Sequence, residues 1–188
     1  MYEYKCKIIK VVDGDTVDID LDLGFGVWLR DERVRIMGID TPESRTSDPI
    51  EKIFGLAAKD RLISLLGTDA TLDTVLNKNG ENVKGKFGRI LGNFRTMNGE
   101  HCADVLIREG HAVHYTGGSK DNIQAAHVVN RQKLIDEGKV PTPDGMTLTK
   151  GKVNTFTATK PPLKAKPAVV VEEIKPIIKL VKKKKSKK

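Results

Sequence analysis

Asp15-Thr16-Val17-Asp18-Ile19-Asp20-Leu21-Asp22-Leu23 alternates polar, mostly acidic side chains with apolar ones at a period of two. Successive side chains of an extended chain leave opposite faces, so Val17, Ile19, Leu21 and Leu23 share one face and the carboxylates share the other. That pattern predicts a half-buried antiparallel strand. Gly24 and Gly26 supply the turn after it; residues 4–12 read as a strand before it, and residues 27–29 and 34–39 as strands beyond. An antiparallel meander therefore opens the chain.

Further along, Asp48-Pro49-Ile50-Glu51 carries a helix start. Asp48 caps a free amide, Pro49 suits the first turn, and Glu51 stands three residues after the cap. Ile50, Ile53, Phe54, Ala57, Leu62, Leu65 and Leu66 form a stripe at helical spacing, interrupted at Arg61, and Gly67 ends it. Residues 71–76 and 89–95 read as strands around a polar loop, 78–88, whose Asn, Gly and Lys suit a mobile or ligand-facing segment. Helices are expected over residues 101–109, stopped by Gly110, and over 121–137, stopped by Gly138. Strands first and helices later predict an α+β arrangement, a small antiparallel barrel packed by helices.

The net charge of +8 on 188 residues is unevenly placed. From Gly138 onward there are 14 Lys and no Arg against three acidic residues, whereas residues 1–137 hold 19 basic and 22 acidic side chains. Six of the eight prolines also fall in that last stretch. Residues 1–137 are therefore expected to form one folded domain and residues 138–188 a disordered Lys/Pro-rich tail. The first ten residues interleave charge where a signal peptide needs an apolar core, and no apolar run is long enough to span a bilayer, so a cytoplasmic chain with no membrane partner is expected. Cys6 and Cys102 form no Cys-x-x-Cys pair, which excludes a thiolate zinc site and predicts buried, reduced thiols.

Two acidic loops, Asp13-Gly14-Asp15-Thr16 and Asp40-Thr41-Pro42-Glu43, sit where strand gives way to turn. A hard divalent cation such as Ca²⁺ takes several carboxylate or carbonyl oxygens from such flexible sites. Each loop alone is explicable as turn chemistry. Arg35 in an otherwise apolar strand and Arg89 at the start of another each demand a partner; a phosphodiester suits the planar guanidinium fork, and an ion pair with Asp40 or Glu43 is the plainer alternative.

Four ordered blocks, Val12-Asp13-Gly14-Asp15-Thr16, Val34-Arg35-Ile36-Met37-Gly38-Ile39-Asp40-Thr41-Pro42-Glu43, Lys86-Phe87-Gly88-Arg89 and residues 103–112, closely resemble the staphylococcal nuclease-like (thermonuclease) family. The resemblance runs from Tyr2 to about Glu137. It implies an OB-type five-stranded barrel with three helices and a Ca²⁺-dependent phosphodiesterase acting on DNA or RNA and leaving 3′-phosphates; the absence of base-reading motifs separately predicts low sequence specificity with single strands favoured. By the resemblance, Asp15, Asp40 and the Thr41 carbonyl are metal ligands, with Asp13 behind them. Glu43 is the general base or aligns the water, and Arg35 and Arg89 contact the scissile phosphate. Lys86 is implied as a phosphate contact and Tyr115 as a base-stacking residue, and the protein is expected to be a monomer.

One departure is visible: many relatives carry a tyrosine where Phe87 stands, so a hydroxyl donor is missing. The four histidines, His101, His111, His114 and His127, are expected at the surface or core edge rather than as metal ligands. The lysine-rich tail suits non-specific attraction to a phosphate backbone. Two competing readings remain, a non-catalytic nucleic-acid adaptor on the same fold and a calcium-responsive structural protein.

Overall fold

The computed structural model describes residues 2–143. The opening meander forms as β1 (Tyr2–Asp13), β2 (Thr16–Asp22) and β3 (Trp28–Ile36), with β1–β2 and β2–β3 antiparallel. Val17 and Ile19 are fully buried and Leu21 nearly so, but Leu23 lies beyond the strand and is 42% exposed, against the expectation that it would share their face. The strand expected over residues 27–29 and the first half of that expected over 34–39 join into the single β3, whose Arg30 and Arg33 pair with acidic side chains of β2. Against expectation the strand stops at Ile36, Met37 and Gly38 turn the chain, and Ile39 opens the next strand. Arg33 grips Asp18 through two hydrogen bonds of 2.6 and 2.9 Å, and Arg30 reaches Asp20 at 2.5 Å. Opposite charges directly across a sheet reinforce the register that the apolar face sets.

Four further strands follow: β4 (Ile39–Asp40), β5 (Asp69–Thr74), β6 (Ile90–Arg95) and β7 (Val113–His114). The barrel closes in the order β1-β2-β3-β6-β5, with β5 returning to β1, and every pair is antiparallel except β3–β6. β4 and β7 form a separate two-stranded ribbon. With three helices packed on it, this is the five-stranded OB-type α+β barrel expected. Cys6 and Cys102 are free and buried, and burial pushes both thiols up to about 12.

Helix α1 (Pro49–Leu66) starts on Asp48, whose carboxylate accepts from the Ile50 and Glu51 amides at 2.9 and 3.3 Å. The reciprocal half of a capping box is not made: Glu51 instead accepts from the Glu43 amide at 3.4 Å. The break in the apolar stripe at Arg61 has a packing cause. Before it, Phe54 with Ile50, Ile53 and Ala57 packs on Leu134 and Val140; beyond it, Leu62, Leu65 and Leu66 face the barrel core. Arg61 itself leaves the stripe to pair with Glu109 at 2.6 and 2.7 Å, tying α1 to α2 (Cys102–Glu109).

Helix α3 (Asp121–Asp136) ends near the boundary drawn from composition, but packing continues, since Val140 and Pro143 are buried. Residues 144–188, most of the stretch read as a basic tail, lie outside the described residues. Among the described residues no helix is long and apolar enough to cross a membrane.

Candidate active site

The two acidic loops meet at one end of the barrel. Asp13, Gly14, Asp15 and Thr16 form the tight β1–β2 turn, and Asp13 Oδ1 accepts from the Gly14 amide at 3.0 Å and from the Ser44 amide at 3.2 Å. One carboxylate thus ties both loops together. Their approach is close enough to require small residues: a Cβ on Gly14 would stand 2.9 Å from the Ala58 Cβ and the Thr41 Oγ1. A Cβ on Gly55, in α1, would stand 2.5 Å from the Glu43 carbonyl carbon and oxygen. Helix α1 is the surface on which the Glu43 loop rests.

Asp13, Asp15 and Asp40 are all buried or nearly so, and buried carboxylates need partners. Asp15 accepts from Thr16 Oγ1 at 2.8 Å and Thr41 Oγ1 at 3.2 Å and forms an ion pair with Arg35. Burial raises the Asp15 carboxyl above its ordinary range, with Arg35 pulling the other way and Asp13 and Asp40 adding to the rise. Arg35 also donates to the Asp15 and Ile39 carbonyls and lies 3.7 Å from Asp40 Oδ1. The ion-pair alternative therefore holds for Arg35, although its partners are Asp15 and Asp40 rather than Glu43.

Asp40 gains two partners from the α3 side. Lys120 Nζ lies 2.9 Å from Oδ1, and His127 Nε2 lies 3.1 Å from Oδ2. Burial works to raise the Asp40 carboxyl, but the hydrogen bonds from His127 and Lys120 outweigh it and the net shift is downward. Glu43 moves the opposite way, raised by partial burial and then by Asp13 and Asp15.

These groups line a cleft of about 1010 Å³ that includes Asp15, Arg35, Asp40, Glu43, Lys86, Arg89 and Tyr115. Arg89 Nε donates to the Lys86 carbonyl at 3.1 Å, and Arg89 makes no ion pair among the described residues. Between them, in a 3₁₀ turn over Lys86–Gly88, Phe87 has φ +62° and is 96% exposed. The loop before this turn is ordered by Asn77, whose side chain accepts from the amides of Asn79 and Glu81. Tyr115 directly follows β7, its hydroxyl donating to the Gly118 carbonyl at 2.7 Å and its amide to the Gly38 carbonyl. Eight of the nine residues singled out from sequence, Asp13 among them, line this cleft, and the ninth, Thr41, touches Asp15 from the buried side.

The family model described as staphylococcal nuclease homologue matches residues 33–136, more than half of the chain. The chain belongs to that family. A curated relative, the endonuclease YhcR of Bacillus subtilis (strain 168), is 29% identical over 125 residues, covering 64% of this chain and 10% of the relative. The chain thus spans about a tenth of that relative's length. The matched stretch of this staphylococcal nuclease homologue holds Arg35, Asp40, Glu43 and Arg89, whereas Asp13 and Asp15 precede it and join the site through the barrel.

The oxygen donors fit a hard cation in kind. Asp15 and Asp40 are close enough for one guanidinium to reach both, and Thr41 follows directly in the chain. Among the described residues no three His, Cys, Asp or Glu side chains converge on one point, so a Ca²⁺ there would draw its remaining oxygens from backbone, water and substrate.

Sequence reasoning missed Lys120, His127 and Arg45, which also lines the cleft. His127 was expected at the surface or core edge and is 5% exposed. Nothing local in the sequence links it to Asp40, 87 residues away.

Proposed function

We propose that this chain is a Ca²⁺-dependent nuclease that hydrolyses DNA or RNA phosphodiesters with low sequence specificity, favours single strands and leaves 3′-phosphate ends. The observation that carries the reading is that Asp15, Asp40, Glu43, Arg35 and Arg89 line one cleft. In this reading Asp15, Asp40 and the Thr41 carbonyl hold the metal. Bound Ca²⁺ supplies positive charge opposite the phosphate. Arg35 and Arg89 hold the phosphoryl oxygens and stabilise charge growing on them. Glu43 aligns or deprotonates the attacking water, and partial burial with the neighbouring Asp13 and Asp15 raises its carboxyl, which makes it a stronger base than an ordinary glutamate. Attack on phosphorus breaks the bond to the 5′-oxygen, which leaves as a hydroxyl, and the phosphate stays on the 3′-oxygen.

Lys86 offers a further phosphate contact. Phe87, almost fully exposed at the cleft, and Tyr115 present aromatic faces to unpaired bases, which supports a preference for single strands. The reading is tested by incubating the protein and single-stranded DNA with Ca²⁺, with Mg²⁺ and with chelator, and determining the end groups. Fragments ending in 3′-phosphate that need Ca²⁺ are expected. Cleavage in chelator sinks the metal's role, and binding without cleavage in every condition favours the adaptor.

A further inference from the structure

Of the two proposed carboxylate ligands, Asp40 is the one that accepts a hydrogen bond from α3, and it is held on two sides in two different ways. Its Oδ1 faces the cleft, where Arg35 and the half-exposed Lys120 reach it. Its Oδ2 meets His127 Nε2 at 3.1 Å, with the two side chains only 6% and 7% exposed. His127 does not line the cleft, so it approaches Asp40 from behind. The fold makes this approach rigid: Asp40 lies on β4, β4 pairs with β7 through Asp40 and Val113, and α3 packs on β7.

We infer that His127 is a positioning residue that fixes Asp40 with Oδ1 turned into the cleft for a divalent cation, while Lys120 is the exchangeable cation that a metal displaces from that oxygen. The inference rests on the proposed metal-dependent reading. A carboxylate on a two-residue strand is free to rotate about its last torsion, and a buried N–H donor on one oxygen selects a single orientation for the other. Lys120 differs in kind. Its stem starts in the exposed segment before α3 and its ammonium is strongly hydrated, so it leaves Oδ1 at little cost. Outer partners of metal ligands typically govern affinity by 10- to 100-fold, roughly the scale expected for His127.

Calorimetric titration of the full-length protein with CaCl₂ in the absence of nucleic acid tests this directly. His127→Ala is expected to weaken Ca²⁺ binding by about 10-fold or more. His127→Gln, which places an amide donor close to the position of Nε2, should recover much of the loss, and Lys120→Met should tighten binding. A purely structural His127 would lower the melting temperature while leaving Ca²⁺ affinity unchanged, and that result overturns the inference. The unsubstituted protein provides a readout independent of folding: the His127 Nε2 resonance in a ¹⁵N-histidine spectrum should shift as Ca²⁺ is added, and an unmoved resonance at saturating Ca²⁺ also overturns it. No Ca²⁺ binding by the unsubstituted protein would instead remove the metal reading beneath it.

Discussion

Arg35 bridges Asp15 and Asp40, while Arg89 makes no ion pair among the described residues, so the two cleft arginines carry different burdens. Replacing either by alanine removes a charge contact proposed for the transition state and is expected to lower the cleavage rate roughly 10²- to 10³-fold at saturating substrate. Arg35→Ala also deprives two buried carboxylates of their shared cation, so its Ca²⁺ affinity should rise while its metal-free form loses stability. Arg89→Ala should change neither. Initial rates, calorimetry and melting curves on the two variants separate these effects, and a wild-type rate for either overturns its catalytic role. Arg35 was legible in the sequence because a guanidinium between the apolar Val34 and Ile36, both buried, is costly without a partner. Lys120 carried no such signal: a lysine in a Gly-Gly-Ser-Lys segment is ordinary surface chemistry until the fold brings it to Asp40.

Helix α1 was foreseen from its cap, its stripe and its terminal glycine, yet its role as a platform for the site depends on Gly55, which no periodicity marks. Gly55→Ala would drive a methyl group into the Glu43 backbone. An overpacking cost of about 1–3 kcal/mol is expected, together with reduced cleavage through displacement of Glu43, read by urea denaturation and initial rates. Unchanged stability and rate would show that the loop gives way freely. The far end of the same helix is tied to α2 by Arg61 and Glu109. Both groups are partly exposed, so Glu109→Gln should cost only about 1 kcal/mol. The hydrogen bonds from Arg61 lower the Glu109 carboxyl. A lowered acid stabilises the fold above its unfolded value and loses that contribution as pH falls through the folded one.

At the scale of the whole molecule, acid stability should fall in two stages. His111 is buried, and burial lowers its imidazole below the ordinary 6.5, so the fold loses stability as pH drops below that value. The Glu109 contribution is lost further into the acid range. His111→Leu should abolish the first stage and leave the second, which urea denaturation between neutral and acid pH measures. The other whole-molecule expectation concerns the lysine-rich stretch. Val140 and Pro143 are buried, so a chain ended at Gly138 would strip packing from Phe54 and Leu134; ending it at Pro143 removes all but one of the tail lysines and spares that contact. Such a chain should keep its turnover, bind DNA less tightly at low salt and show a shallower dependence of log affinity on log salt. Unchanged affinity would dispose of a role for the tail in binding.

By itself the sequence determined the alternating strand, the capped helix, the acidic turns and the placement of charge, because period, capping and turn chemistry act between residues a few positions apart. It also showed the order of motifs from which the family resemblance was read. Only the tertiary structure decided that Arg35 sits between Asp15 and Asp40, that Gly55 seats Glu43, and that His127 and Lys120 hold the two oxygens of Asp40. Those relations join residues up to 87 positions apart, which meet only where barrel closure and the docking of α3 bring them together.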